Sequence, residues 1–293
     1  EIIRGLVGSE MCIRDSTIIV FTDIDSGIAS GNVTLVQKGQ IINANRIEYK
    51  KDKSQDGVSY KAIGDVIIKD STRVATCGLA KYDRENERTI LELEPEIKEN
   101  NRLLAGTKIT LTYEQEKLKK LYIPKNAYAI TPIRGYQASL IDSNQVGDSL
   151  RFNDKMEGTS LLGFFQNGKL DSLRIEGMAK TLYHIFEDSI YQGKNNASGD
   201  TIAISFYDND LSTINIIGGS EGKYTPDSLS EGNEYPVTYK ASRIKYHLQN
   251  DESDFDGNVN IKHDGTSLDA GFVNVNWKTN MLNALPRMSG DTL

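Results

Sequence analysis

Two stretches of this chain align without a gap at an offset of 41 residues, and that internal repeat limits the possible folds more than any other feature. GTSLLGFFQNGKLDSLRIEGMAKTLY begins at Gly158 and GDTIAISFYDNDLSTINIIGGSEGKY begins at Gly199. Leu161 matches Ile202, Phe165 matches Phe206, Leu170 matches Leu211 and Leu173 matches Ile214. Ile175 matches Ile216, Gly177 matches Gly218 and Tyr183 matches Tyr224. A third copy starts at Gly106, with Ile109, Tyr113, Leu118, Leu121 and Ile123 at equivalent places. Each unit reads as strand, polar turn, strand, then a glycine or other small residue. One such hairpin cannot bury an apolar face, whereas a stack of them shares a continuous core.

Strand signals dominate from Gly31 onward. Apolar residues alternate in Val33/Leu35, Ile47/Tyr49, Val66/Ile68, Leu91/Leu93 and Ile109/Leu111/Tyr113. The pattern continues in Ile202/Ile204/Phe206, Ile244/Tyr246/Leu248 and Val273/Val275/Trp277. Turn residues separate them at Lys38-Gly39, Asp83 to Asn86, Asn167-Gly168, Asp208 to Asp210 and Asp264-Gly265. Glu114 to Leu121 is readable as a short helix or a hairpin, and the hairpin is preferred. A second signature, Gly-[Asn/Asp]-Val-x-[Ile/Leu], starts at Gly31, Gly64 and Gly257. Glycine there permits a tight entry or a bulge before the strand. A companion segment, Ala44-Asn45-Arg46-Ile47-Glu48-Tyr49, resembles Ala241-Ser242-Arg243-Ile244-Lys245-Tyr246.

The net charge of -7 and the scattered basic residues argue against a nucleic-acid partner. The densest basic cluster, Lys117, Lys119 and Lys120, reads as a solvated strand edge. No apolar run approaches the roughly 20 residues of a membrane-spanning helix. Residues 1–16, EIIRGLVGSEMCIRDS, resemble translated sequencing-adapter read-through and are set aside, so a natural leader is expected upstream. The end at Asp291-Thr292-Leu293 shows no stop logic, and an internal fragment is expected. With Cys12 set aside, Cys77 stands alone and reads as a small strand residue.

Sequence motifs for chemistry are absent. His184, His247 and His263 sit in no recognisable motif, and no nucleophile elbow or glycine-rich phosphate loop occurs. Alternation puts Glu92 and Glu94 on one face, most simply the solvated one. The run Asp251, Glu252, Asp254, Asp256, Gly257 hints at calcium, but the twelfth position from Glu252 is His263, so a solvated turn is the simpler reading. Neither catalytic nor metal-ligating residues are assigned, and no cofactor is expected.

Two architectures suit a repeat of this length: an open-ended stacked β-jellyroll or solenoid, and a β-propeller that binds protein or glycan partners. The propeller's usual Gly-His and Trp-Asp markers are missing, Trp277 is the only tryptophan, and the repeat spacing changes from 52 to 41 residues. A polysaccharide-active solenoid would need converging carboxylates.

The run from Gly31 to Ala127 resembles the N-terminal domain of the OstA/LptA family. Gly-Asn-Val at Gly31 is followed by Ala44 to Tyr49, Gly-Asp-Val at Gly64, Ala80 to Asp83, and Leu104 to Ile109. Gly158 to Tyr224 resembles the further repeats of long OstA-like proteins. On that resemblance the fold is all-β, a twisted, open-ended jellyroll of repeated hairpins. It is divided into 17–130, the N-terminal jellyroll, and 131–293, continuing repeats. The resemblance also implies a periplasmic location and a lipopolysaccharide or similar glycolipid as ligand. Partners would be other bridge jellyrolls stacked edge strand to edge strand. It leaves open whether the chain is the bridge protein, an LptC relative or the periplasmic part of a translocon. The expected groove-facing residues are Ile109, Leu111, Tyr113, Ile202, Ile204, Phe206, Ile214 and Ile216, for each of which plain core packing is the competing reading.

Overall fold

In a computed structural model the chain is described at residues 12–21, 26–37, 39–51, 58–99, 102–135, 150–187, 190–208, 210–227, 235–279 and 281–286. None of these residues lies in a helix, and every pairing between consecutive long strands is antiparallel. The all-β, hairpin-built fold predicted from the repeat is therefore what the chain adopts. The strands form two compact units: residues 1–127 with 164–168, and residues 128–163 with 169–293.

The first unit contains β1 (Cys12–Phe21), β2 (Ser26–Gln37), β3 (Gln40–Lys51), β4 (Val58–Lys69) and β5 (Arg73–Asp83). They are followed by β6 (Arg88–Glu92), β7 (Glu96–Glu99), β8 (Arg102–Ala105), β9 (Lys108–Glu114) and β10 (Lys117–Ile123). Strands β1 to β5 pair in sequence, after which the ladder divides. The end of β5 pairs with β6, and its start pairs with β7. β6 then pairs with β9, and β7 with β8. The expected hairpin at Glu114 to Leu121 is present, its turn made by Gln115 and Glu116, both with positive φ.

The division of the ladder continues a line of corners that crosses the long strands. The registers of β2–β3, β3–β4 and β4–β5 all slip midway, at Ser30/Val33, Asn43/Arg46 and Ile63/Val66. One extra residue on β2 and on β4 makes each slip a bulge, and a bulge bends its strand. Strict alternation, expected from the sequence, therefore holds only within each half of a strand. Buried residues step by four across the corner on β2 (Ala29 to Val33) and β4 (Ala62 to Val66). They step by three on β3 (Ala44 to Ile47) and β5 (Cys77 to Ala80). The change of step keeps one face inward on both sides. Beyond β5 the corner becomes a linker. Leu93 and Glu94 leave β6 with positive φ, and Leu93 is 65% exposed, so neither it nor Glu94 continues the β6 alternation expected of them. The Leu93 carbonyl accepts from the Gly78 N–H at 2.8 Å, which closes the corner.

The second unit contains β12 (Leu150–Gly158), the start of β13 (Ser160–Gln166, whose residues from Phe164 belong to the first unit), β14 (Lys169–Glu187) and β15 (Ile190–Tyr207), reached through β11 (Ala127–Gly135). Next come β16 (Asp210–Pro226), β17 (Val237–His247), β18 (Glu252–His263), β19 (Thr266–Asn276) and β20 (Met281–Leu285). The strand ends of β17 and β19 leave Leu248 and Trp277, expected as strand positions, in turns. From β14 to β20 every strand pairs with the next. Such a ladder lacks the separate four-stranded blades of a propeller. The same corner line recurs, with steps of four on β14 (Ile175 to Ala179), β16 (Ile216 to Ser220) and β18 (Phe255 to Val259). Steps of three occur on β17 (Ala241 to Ile244) and β19 (Ala270 to Val273).

The two repeated signatures of the sequence are thus the two sides of one corner. The glycines expected to precede strands lie inside them. Gly64 and Asp65 have φ of +76° and +46°, and Gly257 and Asn258 have +75° and +51°. Such a left-handed pair is cheap only when glycine leads it. A side chain on Gly64 would also strike Asn45, and one on Gly257 would strike Ser242, the matching residues of the companion segments. Asn45 in turn donates to the Asp65 carboxylate at 3.0 Å.

Candidate functional site

Inside each unit the residues nearest the corner line form fully buried rows. In the first unit Ala29, Ile47, Ala62, Ala80, Leu91 and Ile109 are paired neighbours, each inaccessible to solvent. In the second unit the row is Ile175, Ile202, Ile216, Ile244, Phe255 and Val273, none more than 2% exposed. The expected inward residues fall on these faces. Ile109, Leu111, Ile202, Ile204, Ile214 and Ile216 are buried, whereas Tyr113 and Phe206 are only partly so. Ser205, between Ile204 and Phe206, is exposed. The first three of the eight lie in one unit and the other five in the other, so they make two interiors.

The first interior lies between half-sheets on either side of the corner line. It is lined by Ile68, Ala75, Ile97 and Leu104 on one side and by Leu91, Leu111, Leu118 and Leu121 on the other. About 40 Å³ there is open to the centre of a water molecule. At its mouth Gln40, Thr89 and Tyr113 also border a second cavity of about 150 Å³, completed by Tyr60, Tyr82, Glu87 and Glu116. The registers explain the tyrosines: Tyr49 pairs with Tyr60, Tyr60 with Tyr82, and Tyr82 with Thr89. Tyr60 and Tyr82 stack with ring centroids 5.4 Å apart. Burial pushes the Tyr60 phenol far above its ordinary range, with the neighbouring phenols of Tyr113 and Tyr82 adding to the effect. Burial likewise raises Tyr113, against hydrogen bonds to Thr89 and Gln40. Sequence reasoning did not single out this tyrosine row, although Tyr49 and Tyr82 each lie in a segment that carried the family resemblance. The row appears only once the pairing register is known.

In the second interior a strand folds onto itself. Tyr239 and Tyr246 are seven residues apart on β17, about 23 Å if the strand ran straight. Their hydroxyls meet at 2.8 Å because the strand bends between them. Asn195 Oδ1 accepts from the Tyr239 hydroxyl at 2.5 Å, and the Tyr239 ring meets Phe255 edge to face.

Several other ionisable groups serve cross-strand pairing. Asp154 accepts from the His184 N–H and bonds its ring at 2.9 Å, and burial raises the Asp154 pKa. Of the acidic run expected to be a solvated turn, Asp251 lies in the turn and the rest, from Glu252, is strand β18. Its Asp254 bonds His247 and Asn274, Glu252 accepts from Asn276, and Asp256 pairs with Arg243. Among the described residues no group of three or more His, Cys, Asp and Glu is placed to hold a metal.

Glu92 lies between Lys81 at 2.8 Å and Lys108 at 3.3 Å, and the Lys81 hydrogen bond leads the effects that hold its carboxyl below the ordinary range. A lowered folded-state pKa gives stability present above the unfolded pKa and lost as pH falls through the folded one. Glu92→Gln is therefore expected to lower the urea midpoint at neutral pH, with the gap to the parent closing in acid. Cys77 is buried and free, and burial pushes its thiol up to about 11. In a Cys12→Ser background it should resist a thiol reagent at pH 8 until the protein unfolds.

Residues 20–117 match the family described as LptA/(LptD N-terminal domain) LPS transport protein. This segment belongs to that family. The LptA/LptD-type domain covers about a third of the 293 residues. It takes in the corners of β2 to β5 and all the tyrosines at the cavity mouth. Leu118, Leu121 and Phe165, which help line the deeper cavity, fall outside it. Among solved structures the chain is similar to LptH of Pseudomonas aeruginosa, the LptA homologous periplasmic component of its lipopolysaccharide transport device. Identity is 10% and the TM-score 0.36, over 47% of this chain and 86% of that one. At that level the likeness carries no argument. No curated protein matches the chain.

Proposed function

We propose that the chain is a non-catalytic periplasmic scaffold that carries lipopolysaccharide or a similar glycolipid towards the outer membrane. The observation that carries this reading is the union of a family-matched domain with, in each unit, an apolar inner face kept continuous across its corners. Each methylene moved from water to such a face contributes about 0.8 kcal/mol, so several acyl chains supply a large driving force. The first interior is narrow, so this reading requires the half-sheets to part along the corners when acyl chains enter.

Assembly with similar β-proteins through edge strands fits β20, which among the described strands pairs only with β19 and exposes Met281, Leu282 and Leu285. An unpaired edge offers its backbone groups to a further strand.

The test is a photo-cross-linking residue at Ile204, with Ser205 as the outward control, in cells that make lipopolysaccharide. A lipid adduct at Ile204 and none at Ser205 is the expected result. A folded protein with no adduct at Ile204 would mean a sealed core and would favour a scaffold for protein or glycan partners.

A further inference from the structure

The cavity at the mouth of the first unit differs in chemistry from the apolar interior it opens onto. Its walls are three phenol rings, a carboxamide, a hydroxyl and two carboxylates, from Tyr60, Tyr82, Tyr113, Gln40, Thr89, Glu87 and Glu116. No lysine or arginine lines it. The nearby Arg84 is directed to the Tyr82 hydroxyl at 3.5 Å and to Glu116 at 3.9 Å. Arg73, which lines the adjoining cavity and acts on Tyr113, is engaged by Asp70 at 3.2 Å and Glu99 at 3.8 Å, so an anionic group entering here would meet carboxylates and neutral phenols before any cation free to take it, and phosphate is a poor fit. A pyranose ring fits on two counts. Its C–H face packs on an aromatic ring, and its hydroxyls bond to carboxylates, amides and phenols. Tyr60, 5% exposed, backs Tyr82 through the stacked pair, so the more accessible ring is held in place before any ligand arrives. Tyr113 is fixed from two sides, by Thr89 and Gln40. Gln40, Thr89 and Tyr113 border both cavities, so a ring seated here leaves its aglycone pointing at Leu91 and Leu111.

We propose that this tyrosine-lined pocket is a carbohydrate site that takes one pyranose ring and discriminates against phosphate. The site deepens the glycolipid-carrier reading and rests on it for the direction of the aglycone. Its polar selectivity stands on the pocket alone.

The experiment titrates the full chain by calorimetry with octyl glucoside, octyl phosphate and methyl glucoside, all below micelle-forming concentrations. The parent is compared with Tyr82→Ala, Tyr82→Phe and, as an exposed control, Tyr122→Ala, each checked for an unchanged circular dichroism spectrum. Octyl glucoside is expected to bind about tenfold more tightly than octyl phosphate. Tyr82→Ala should remove most of that preference, while Tyr82→Phe, which keeps the ring, and Tyr122→Ala should retain it. Equal binding of the two octyl compounds, unchanged by Tyr82→Ala, would overturn the carbohydrate site and leave the apolar carrier standing. Methyl glucoside bound in a Tyr82-dependent way without any gain from the octyl tail would support the pocket and count against the carrier. Binding of none of the three would overturn the pocket.

Discussion

An aspartate in place of Ile202 is expected to abolish the cooperative folding of the second unit. Ile202 is inaccessible and sits in the middle of the isoleucine row, paired with Ile175 on one side and Ile216 on the other. A carboxylate there has no cation within its row, and burying it uncompensated costs several kcal/mol. That is a large part of the roughly 5–15 kcal/mol that holds a domain together. Ile202→Val, which removes one methylene, should cost about 0.5–1.5 kcal/mol and leave the transition cooperative. Thermal unfolding followed by circular dichroism separates the two outcomes. If Ile202→Asp were tolerated within about 1 kcal/mol, the row would have to be wet, and the dry packing of Ile175, Ile202 and Ile216 against one another would be wrong.

The second large effect concerns the glycines that begin each repeat. A Cβ on Gly158 would lie 2.5 Å from Ile175 Cγ2 and 3.1 Å from the Glu176 carbonyl oxygen, and one on Gly199 would meet Ile216 and Ile217 in the same way. Gly158→Ala is therefore expected to destabilise the protein by about 1–3 kcal/mol, the usual cost of overpacking. Ile175→Ala alone should cost about 2–5 kcal/mol. In the double variant the new methyl group occupies space that the isoleucine vacates, so the combined loss should fall short of the sum by about 1 kcal/mol or more. Strict additivity in urea unfolding would show that the contact between Gly158 and Ile175 is not what demands the glycine.

How much of this was legible in the sequence depends on the kind of information needed. The hairpins followed from alternation and turn residues. The inward character of Ile202, Ile204, Ile214 and Ile216 followed from the same period, because within half a strand nothing disturbs it. The repeat fixed Gly106, Gly158 and Gly199 as equivalent, and the structure gives the reason: each lies flat against an isoleucine, Ile123, Ile175 and Ile216. What alternation misses is the corner, where one added residue shifts the phase. That is why Leu93 and Glu94 do not continue the alternation of Leu91 and Glu92. The acidic stretch at Asp251 to Asp256 looked like a turn because its polar partners, His247, Asn274, Asn276 and Arg243, are distant in sequence. The tyrosine row was hidden for a similar reason. Tyr49, Tyr60 and Tyr82 come from three strands, and only the register makes them neighbours.

The alternating steps of three and four also govern how such a chain can change length. A strand that steps by four must lie beside one that steps by three, or the ladder between them loses its matching bulge. Insertion of a single strand would place two like steps side by side and turn one half of every later strand inside out. The smallest neutral increment is a hairpin, one strand of each kind with its corner. The 41-residue offset between Gly158 and Gly199 is one such increment. Chains of this type are therefore expected to differ from their relatives by whole hairpins, and the apolar face inside them lengthens by two strands at a time.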